Sequence, residues 1–446
     1  MARAKKEAAL TPEERLQAAL VPDWEWPYKL PENWCWTTIK NVATVVTGGT
    51  PAKNNSDYYG GEFPFFKPAD LDAGRHVSEA SEYLSDLGKS VSRIIPAQAT
   101  AVCCIGSIGK CGFLDVEGAT NQQINSAIPY FNALYQYFYM NTEFFTNQLR
   151  NSASATTIAI VNKTKMESCY YPLAPLAEQQ RIVDRIESLF AKLDEAKEKT
   201  QTVVDSFETR KSAILHKAFT GELTAKWREE HGVSIDNWKT TRFDSVAAIR
   251  SNLVDPAEYQ SFPHIAPDNI EKKTGVLLEY HTIAEDGVTS GKHRFYSGQI
   301  LYSKIRPYLS KAVVVDFDGL CSADMYPIEA YQNARCLWYY MLSDEFLLQA
   351  STAGSRSVLP KINQKELSAL TLHLPTNDRE QEEIARILDE LFDKEQQTKE
   401  AAEVVLDQID LMKKSILARA FRGELGTNDP SEESAVGLLK RGLEKK

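Results

Sequence analysis

Two stretches of the chain repeat apolar residues at spacings that alternate between four and three. From Ile182 the series runs through Ile186, Leu189, Leu193, Ala196, Val203, Phe207 and Ile214. A second runs through Ile384, Leu388, Leu391, Ala402, Val405, Ile409, Met412 and Ile416. That period is a coiled-coil seam, so each stretch is expected to be one helix of roughly 40 residues, or roughly 60 Å at a rise of 1.5 Å per residue. Pro172 and Pro175 precede the first helix and Pro375 the second, while Gly221 and Gly423 stop them. A lone seam has nothing to bury its apolar stripe, and two seams in one chain point to antiparallel pairing.

The intervening stretches have a different texture. Short β-rich runs such as Val42-Ala43-Thr44-Val45-Val46 and Ala312-Val313-Val314-Val315 alternate with turn signals at Gly48-Gly49, Gly60-Gly61, Asp286-Gly287 and Asp318-Gly319. The pattern predicts a mixed α/β fold of two globular domains with small curved sheets, at 31–172 and 231–374. A leader at 1–30, helical segments at 173–230 and 375–425, and a polar tail at 426–446 complete the organisation.

These parts are copies of one unit. Ala218-Phe219-Thr220-Gly221-Glu222-Leu223 returns 202 residues later as Ala420-Phe421-Arg422-Gly423-Glu424-Leu425. At the same offset Glu178-Gln179 matches Glu380-Gln381, and Leu189-Phe190 matches Leu391-Phe392. The match weakens upstream but persists: Trp34 corresponds to Trp238, Asp115 and Gly118 to Asp316 and Gly319, and Asn162 to Asn363. Each repeat is a variable globular part followed by a well-kept helical part.

Composition narrows the function. The chain has 446 residues, 43% hydrophobic and 25% charged, as in a water-soluble globular protein. No run is apolar enough to span a membrane, and the first residues lack the apolar stretch of a signal peptide, so a cytoplasmic protein with no membrane partner is expected. The seven cysteines include no Cys-x-x-Cys pair and no companion histidine cluster, which predicts buried thiols, no metal site and no cofactor. A net charge of −10 weighs against a chain that grips a polyanion strongly by itself.

Catalytic signatures are missing. There is no Asp/Asn-Pro-Pro-aromatic methyltransferase motif, no phosphate-binding Gly-x-x-x-x-Gly-Lys-Ser/Thr loop and no Gly-x-Ser-x-Gly elbow. Glu195-Ala196-Lys197 carries the letters of a nuclease centre but lies in the seam helix, where a solvated face explains it. A chain without catalytic residues of its own is expected.

Certain segments then identify a resemblance. They are Leu30-Pro31-Glu32-Asn33-Trp34, Thr47-Gly48-Gly49-Thr50-Pro51, Gly106-Ser107-Ile108-Gly109-Lys110 leading to Asn121-Gln122-Gln123, Pro172 through Gln180, and Ile416 through Leu425. With the repeat, they make the chain resemble the specificity subunits of type I restriction–modification enzymes over nearly its whole length. The resemblance implies two target recognition domains separated by two long helices. It also implies double-stranded DNA as a partner, a pair of methyltransferase subunits, and room for ATP-dependent motor and restriction subunits to join. A coiled-coil scaffold without DNA specificity, or a stand-alone methyltransferase or nuclease, are the competing readings. The second half departs from the family pattern: Ile249-Arg250-Ser251-Asn252 replaces the Gly-Gly turn and Lys304-Ile305-Arg306-Pro307-Tyr308 the Gly-Ser-Ile-Gly stretch.

Reading bases takes donors and acceptors on short loops. Candidates in the first domain are Thr47, Gly48, Gly49, Thr50, Lys53, Lys67, Ser107, Lys110, Asn121 and Gln122. In the second they are Arg250, Asn252, Asn269, Lys304, Arg306, Tyr308, Lys311, Ser355 and Arg356. Arg306 stands out between Lys304 and Tyr308, because a guanidinium can bind guanine in a bidentate way worth about 1–3 kcal/mol of discrimination. The aromatic runs Tyr135–Tyr139 and Trp338–Tyr340 fall at equivalent points of the repeat and are read as helical core rather than as base-stacking platforms.

Overall fold

A computed structural model describes residues 11–154, 159–353 and 360–444. The chain forms two compact units. One contains the chain up to Lys199 together with the part from Val405 onward; the other is Thr200–Val404. Each unit therefore takes the start of one long helix and the end of the other.

In the first unit, strand Ala43–Thr47 opens a four-stranded antiparallel sheet that continues with Ile124–Pro129, Thr100–Cys103 and Cys111–Phe113. A three-stranded sheet orders Glu82–Leu84, Tyr59–Phe66 and Ala119–Thr120, the last pair parallel. A third ladder joins the beginning of the globular part to its end, pairing Cys35 with Leu173 and Thr38 with Tyr170. The second unit repeats this plan. Its four-stranded sheet is Ala247–Ile249, Met325–Ala330, Ile300–Ser303 and Ala312–Val314, and its closing ladder pairs Trp238 with Pro375. The remaining sheet is enlarged to five strands, in the order Leu253–Val254, Lys292–Phe295, Gly319–Cys321, Pro263–Ile265 and His281–Thr282.

The helices of the two units start alike. Asn132 and Asn333 cap Ala133–Met140 and Ala334–Met341, each side chain accepting a backbone N–H three residues on. These are the aromatic runs: Tyr135, Tyr139, Tyr340 and Trp338 are buried in the cores. The first long helix is Leu176–Asp205 followed, after a break at Ser206, by Phe207–Phe219; the second is one continuous helix, Asp378–Ala420. At the break the Val203 carbonyl accepts from the Arg210 guanidinium and from the Ser206 hydroxyl, side-chain donors that compete for a backbone acceptor of the helix.

Within each unit the helices run antiparallel. In the first, Asp194 pairs with Lys413 and Lys197 with Asp410. In the second, Arg210 pairs with Glu395 at 2.8 Å while Lys399 lies over the Phe207 ring and Lys211 over the Phe392 ring. The ends of the helices complete the cores. Phe421 packs edge-on against Tyr135 and Tyr139 in the first unit, and its repeat partner Phe219 packs against Tyr340 in the second. The tail is less polar than its composition suggested: Ala435–Glu444 is an amphipathic helix that buries Leu438 and Leu439 in the first core.

A buried carboxylate anchors each helix start. Glu178 accepts from the Trp34 indole at 2.7 Å and from Asn428 at 2.8 Å. Glu380 accepts from the Trp238 indole at 3.0 Å and from Arg228 at 2.7 Å. Next to them Gln179 and Gln381 accept from the backbone N–H of Asn132 and Asn333.

Candidate nucleic-acid interface

The four-stranded sheet ends in three loops that hydrogen bonds draw together. In the first domain, the Gly48 N–H donates to Ile124 O at 2.9 Å and the Gly49 N–H to Thr120 O at 2.8 Å, docking the 47–50 turn on the 120–124 loop. A Cβ on Gly48 would sit 2.1 Å from the Asn121 carbonyl oxygen, so only glycine permits this approach. Thr47 donates to Asn125 at 2.7 Å, and Thr50 bonds Gln122 across the gap. Asn121 is buried and bonds Gln123, whereas Gln122 is exposed. The Cys104 N–H donates to Gln123 O at 2.7 Å, and the Val161 N–H to Cys104 O at 2.9 Å, which fixes the start of the 106–110 turn beside them.

That turn needs left-handed backbone at Gly106 (φ 79°) and Gly109 (φ 91°). It exposes Ser107 and forms a recess with Thr146 and Arg150. The basic candidates here divide. Lys110 is paired with Asp72 at 2.6 Å and Lys67 with Glu82 at 3.1 Å, whereas Lys53 is exposed.

The second domain builds the same turn without glycine. The left-handed positions are Arg306 (φ 49°) and Ser310 (φ 45°), between strands Ile300–Ser303 and Ala312–Val314. Such residues carry on the order of 1–3 kcal/mol of strain each. The loop is held by Arg306 N–H donating to Pro360 O at 2.7 Å and Ile362 N–H to Lys304 O at 2.9 Å. Arg306 and Tyr308 are exposed, and Arg306 has no ion-pair partner among the described residues.

Several other second-domain candidates turn inward. Lys304 donates to the Ala323 carbonyl, Lys311 to Pro267 O at 2.7 Å, and Asn269 to Glu279 O at 2.7 Å while accepting from Ala266 N–H. Arg250 is exposed but paired with Glu329 at 2.8 Å. Asn252 is exposed, and its carbonyl accepts the Arg294 N–H. Ser355 and Arg356 lie outside the described residues.

Some basic groups at these loops were not singled out from the sequence. Arg93 donates to Thr47 O at 2.6 Å, Arg150 borders the 106–110 turn, and Lys361 pairs with Asp324 at 3.2 Å beside Lys304. The run Lys292-His293-Arg294 was visible as a basic cluster, but nothing in it told which member stays accessible. Burial pushes the Lys292 ammonium and the His293 imidazolium below their ordinary pKa values. Chemically, the first domain presents the Ser107 hydroxyl, the Gln122 amide and Lys53 at its loops, and the second presents Arg306 and Tyr308. Among the described residues no cluster of three or more His, Cys, Asp or Glu side chains could hold a metal, and all seven cysteines are buried and unpaired. Among them, too, no helix is long and apolar enough to cross a membrane.

Two copies of one mixed domain, each completed by the two ends of a long-helix pair, define a class of recognition scaffold. A family model for the type I restriction modification DNA specificity domain matches residues 31–204 and again 235–405. The chain belongs to this family of type I restriction–modification specificity subunits. It is 34% identical over 455 residues to the EcoDI type I restriction enzyme specificity subunit of Escherichia coli, covering 93% of this chain and 95% of that one. It is 22% identical to the StySPI specificity subunit of Salmonella potsdam, with the same two coverages. Its fold is similar to the HsdS subunit from Thermoanaerobacter tengcongensis, with a TM-score of 0.59 at 18% identity over 90% of this chain and all of that one. It is also similar to a chain from a structure describing assembly of a type I R-M system, with a TM-score of 0.69 at 18% identity and the same coverages.

Proposed function

We propose that this chain is the non-catalytic, sequence-reading subunit of a type I restriction–modification complex, and that each globular domain reads one half of a split, asymmetric DNA site. One observation carries the reading: a single sheet plan is built twice, and the same turn carries Gly106 and Gly109 in one copy but Arg306 and Ser310 in the other. Scaffold retained and loop chemistry changed is what two different half-sites require.

The long helices then set the unread spacer. A 43-residue helix spans roughly 65 Å at 1.5 Å per residue, ample against the ~34 Å between half-sites one DNA turn apart. Val405 and Met412, which the apolar spacing placed in the seam, instead stand exposed on the second helix with Leu411; the three suit docking of a methyltransferase subunit, and the two recognition domains call for two such subunits. Motor and restriction subunits join the assembled complex for cleavage. The net charge of −10 fits a subunit that shares its grip on DNA with partners, and seven unpaired cysteines suit the reducing cytoplasm.

Co-expression with the methyltransferase subunit, followed by mapping of methylated bases, tests this. A bipartite motif with a fixed gap is expected; a continuous motif, or methyl transfer by this chain alone, overturns it.

A further inference from the structure

The enlarged sheet of the second domain carries a cation that the candidate loops do not include. Phe295 on strand Lys292–Phe295 points into a core cluster, so its neighbour Arg294 stands on the opposite face. There the guanidinium carbon lies 4.9 Å from the centroid of the Tyr296 ring, 5.4 Å from Tyr259 and 5.9 Å from Phe262. Its Nε is buried without a hydrogen-bond partner, and the Tyr259 hydroxyl is a distant 3.5 Å from Nη1. No carboxylate among the described residues lies within ion-pair distance of it. An arginine that packs for structure normally finds an acid or a carbonyl. This one is half-buried, held in orientation by ring faces, and left with its charge uncompensated.

Its position connects it to the reading loops. The Arg294 N–H donates to the Asn252 carbonyl at 3.3 Å, and His293 and Lys292 pair with Leu253 and Val254. The strand bearing Arg294 is thus bonded to the segment that replaces the Gly-Gly turn. In the first domain the antiparallel bridge between Ile95 and Gly118 stands where Phe295 pairs with Gly319, and the exposed Ile94 takes the place of Arg294, so the cation belongs to the second domain's own chemistry.

We infer that Arg294 is a DNA phosphate clamp of the second recognition domain, resting on the DNA-reading function proposed above. A base edge is the poorer ligand. It lies at the floor of a groove ~8.5 Å deep, and a guanidinium recessed among three rings has no reach to enter it. A phosphate oxygen at the groove rim comes to the sheet surface, accepts two N–H donors from a guanidinium and neutralises its charge. Such a contact fixes register and adds affinity without adding sequence preference.

The test uses the full chain in complex with its methyltransferase subunits and a duplex bearing the mapped site. Arg294→Gln should lower affinity and reduce the slope of log K against log salt by about 0.9, the value for one phosphate contact. The methylated sequence should not change, and Arg294→Lys should keep the slope. As a check independent of folding, single neutral methylphosphonates placed through the second half-site should weaken the wild-type complex at one position, and that penalty should vanish in Arg294→Gln. An unchanged slope, an altered methylated sequence, or a melting-temperature loss with intact salt dependence overturns the phosphate role. A wild-type complex that yields no bipartite motif overturns the underlying function instead.

Discussion

Glu178 and Glu380 are repeat partners, yet replacing each with glutamine should have unequal cost. Both side chains are 0% exposed. Glu380 accepts from Arg228 at 2.7 Å, Thr224 at 2.8 Å, and Trp238 and Asn237 at 3.0 Å, and Arg228 is itself only 11% exposed. This network holds the Glu380 carboxyl below its ordinary range despite burial. In Glu380→Gln an uncompensated guanidinium stays buried and an amide N–H₂ meets another donor, a loss of about 3 kcal/mol. Glu178 has no such cation bonded to it among the described residues. Arg181, the nearest candidate, is engaged in a bidentate pair with Glu432 at 2.7 and 2.8 Å. Burial therefore pushes the Glu178 carboxyl above its ordinary 4.5, and Glu178→Gln should cost under about 1 kcal/mol at pH 7.

The pH dependences have opposite signs. Glu380 stabilises its unit above the ordinary carboxylate range, and that contribution is lost as pH falls below it. Glu178 binds its proton more tightly folded than unfolded, so its unit loses stability as pH rises from about 4.5 to the higher folded value. Urea unfolding followed by peptide-resolved hydrogen exchange at several pH values separates the two units. Equal costs for the two glutamines, or a Glu178→Gln unit that keeps its decline above pH 4.5, would refute the reasoning.

Three further outcomes are expected. Gly48→Ala forces a Cβ to 2.1 Å from the Asn121 oxygen, so it should open the 47–50 turn and relax methylation specificity in the first half-site while sparing the second, as read by base-resolved methylation mapping. Arg306→Gly relieves left-handed strain and should raise the unfolding free energy of the second unit by up to about 1 kcal/mol, yet weaken discrimination in the second half-site; denaturation and competitive binding report the two effects. Removing one heptad from each long helix should shorten the spacer and leave both half-sites unaltered, visible in the methylated motif.

Much of this architecture is legible in the order of the residues. The 202-residue offset predicts the shared sheet plan, the four–three apolar spacing predicts the long helices, and Gly221 and Gly423 mark their ends with φ of 82° and 74°. The repeat pair Asn162 and Asn363 are N-caps of equivalent short helices. The site was legible only as a set of loops. Lys110, Lys67, Lys304 and Lys311 were candidates alongside Arg306, but Asp72, Glu82 and the carbonyls of Ala323 and Pro267 engage them.

The amino-acid order by itself determined the elements and their duplication, because helix periods, caps and turns depend on residues within a few positions of one another. Tertiary structure decided which half of each long helix completes which core, which cations are neutralised, and that Arg294 stands among three rings without an acid. Those outcomes depend on groups tens to hundreds of residues apart, such as Phe421 against Tyr135 or Arg294 against Tyr259. Local pattern carries no record of such approaches, since only burial and the need to pair charge select among them.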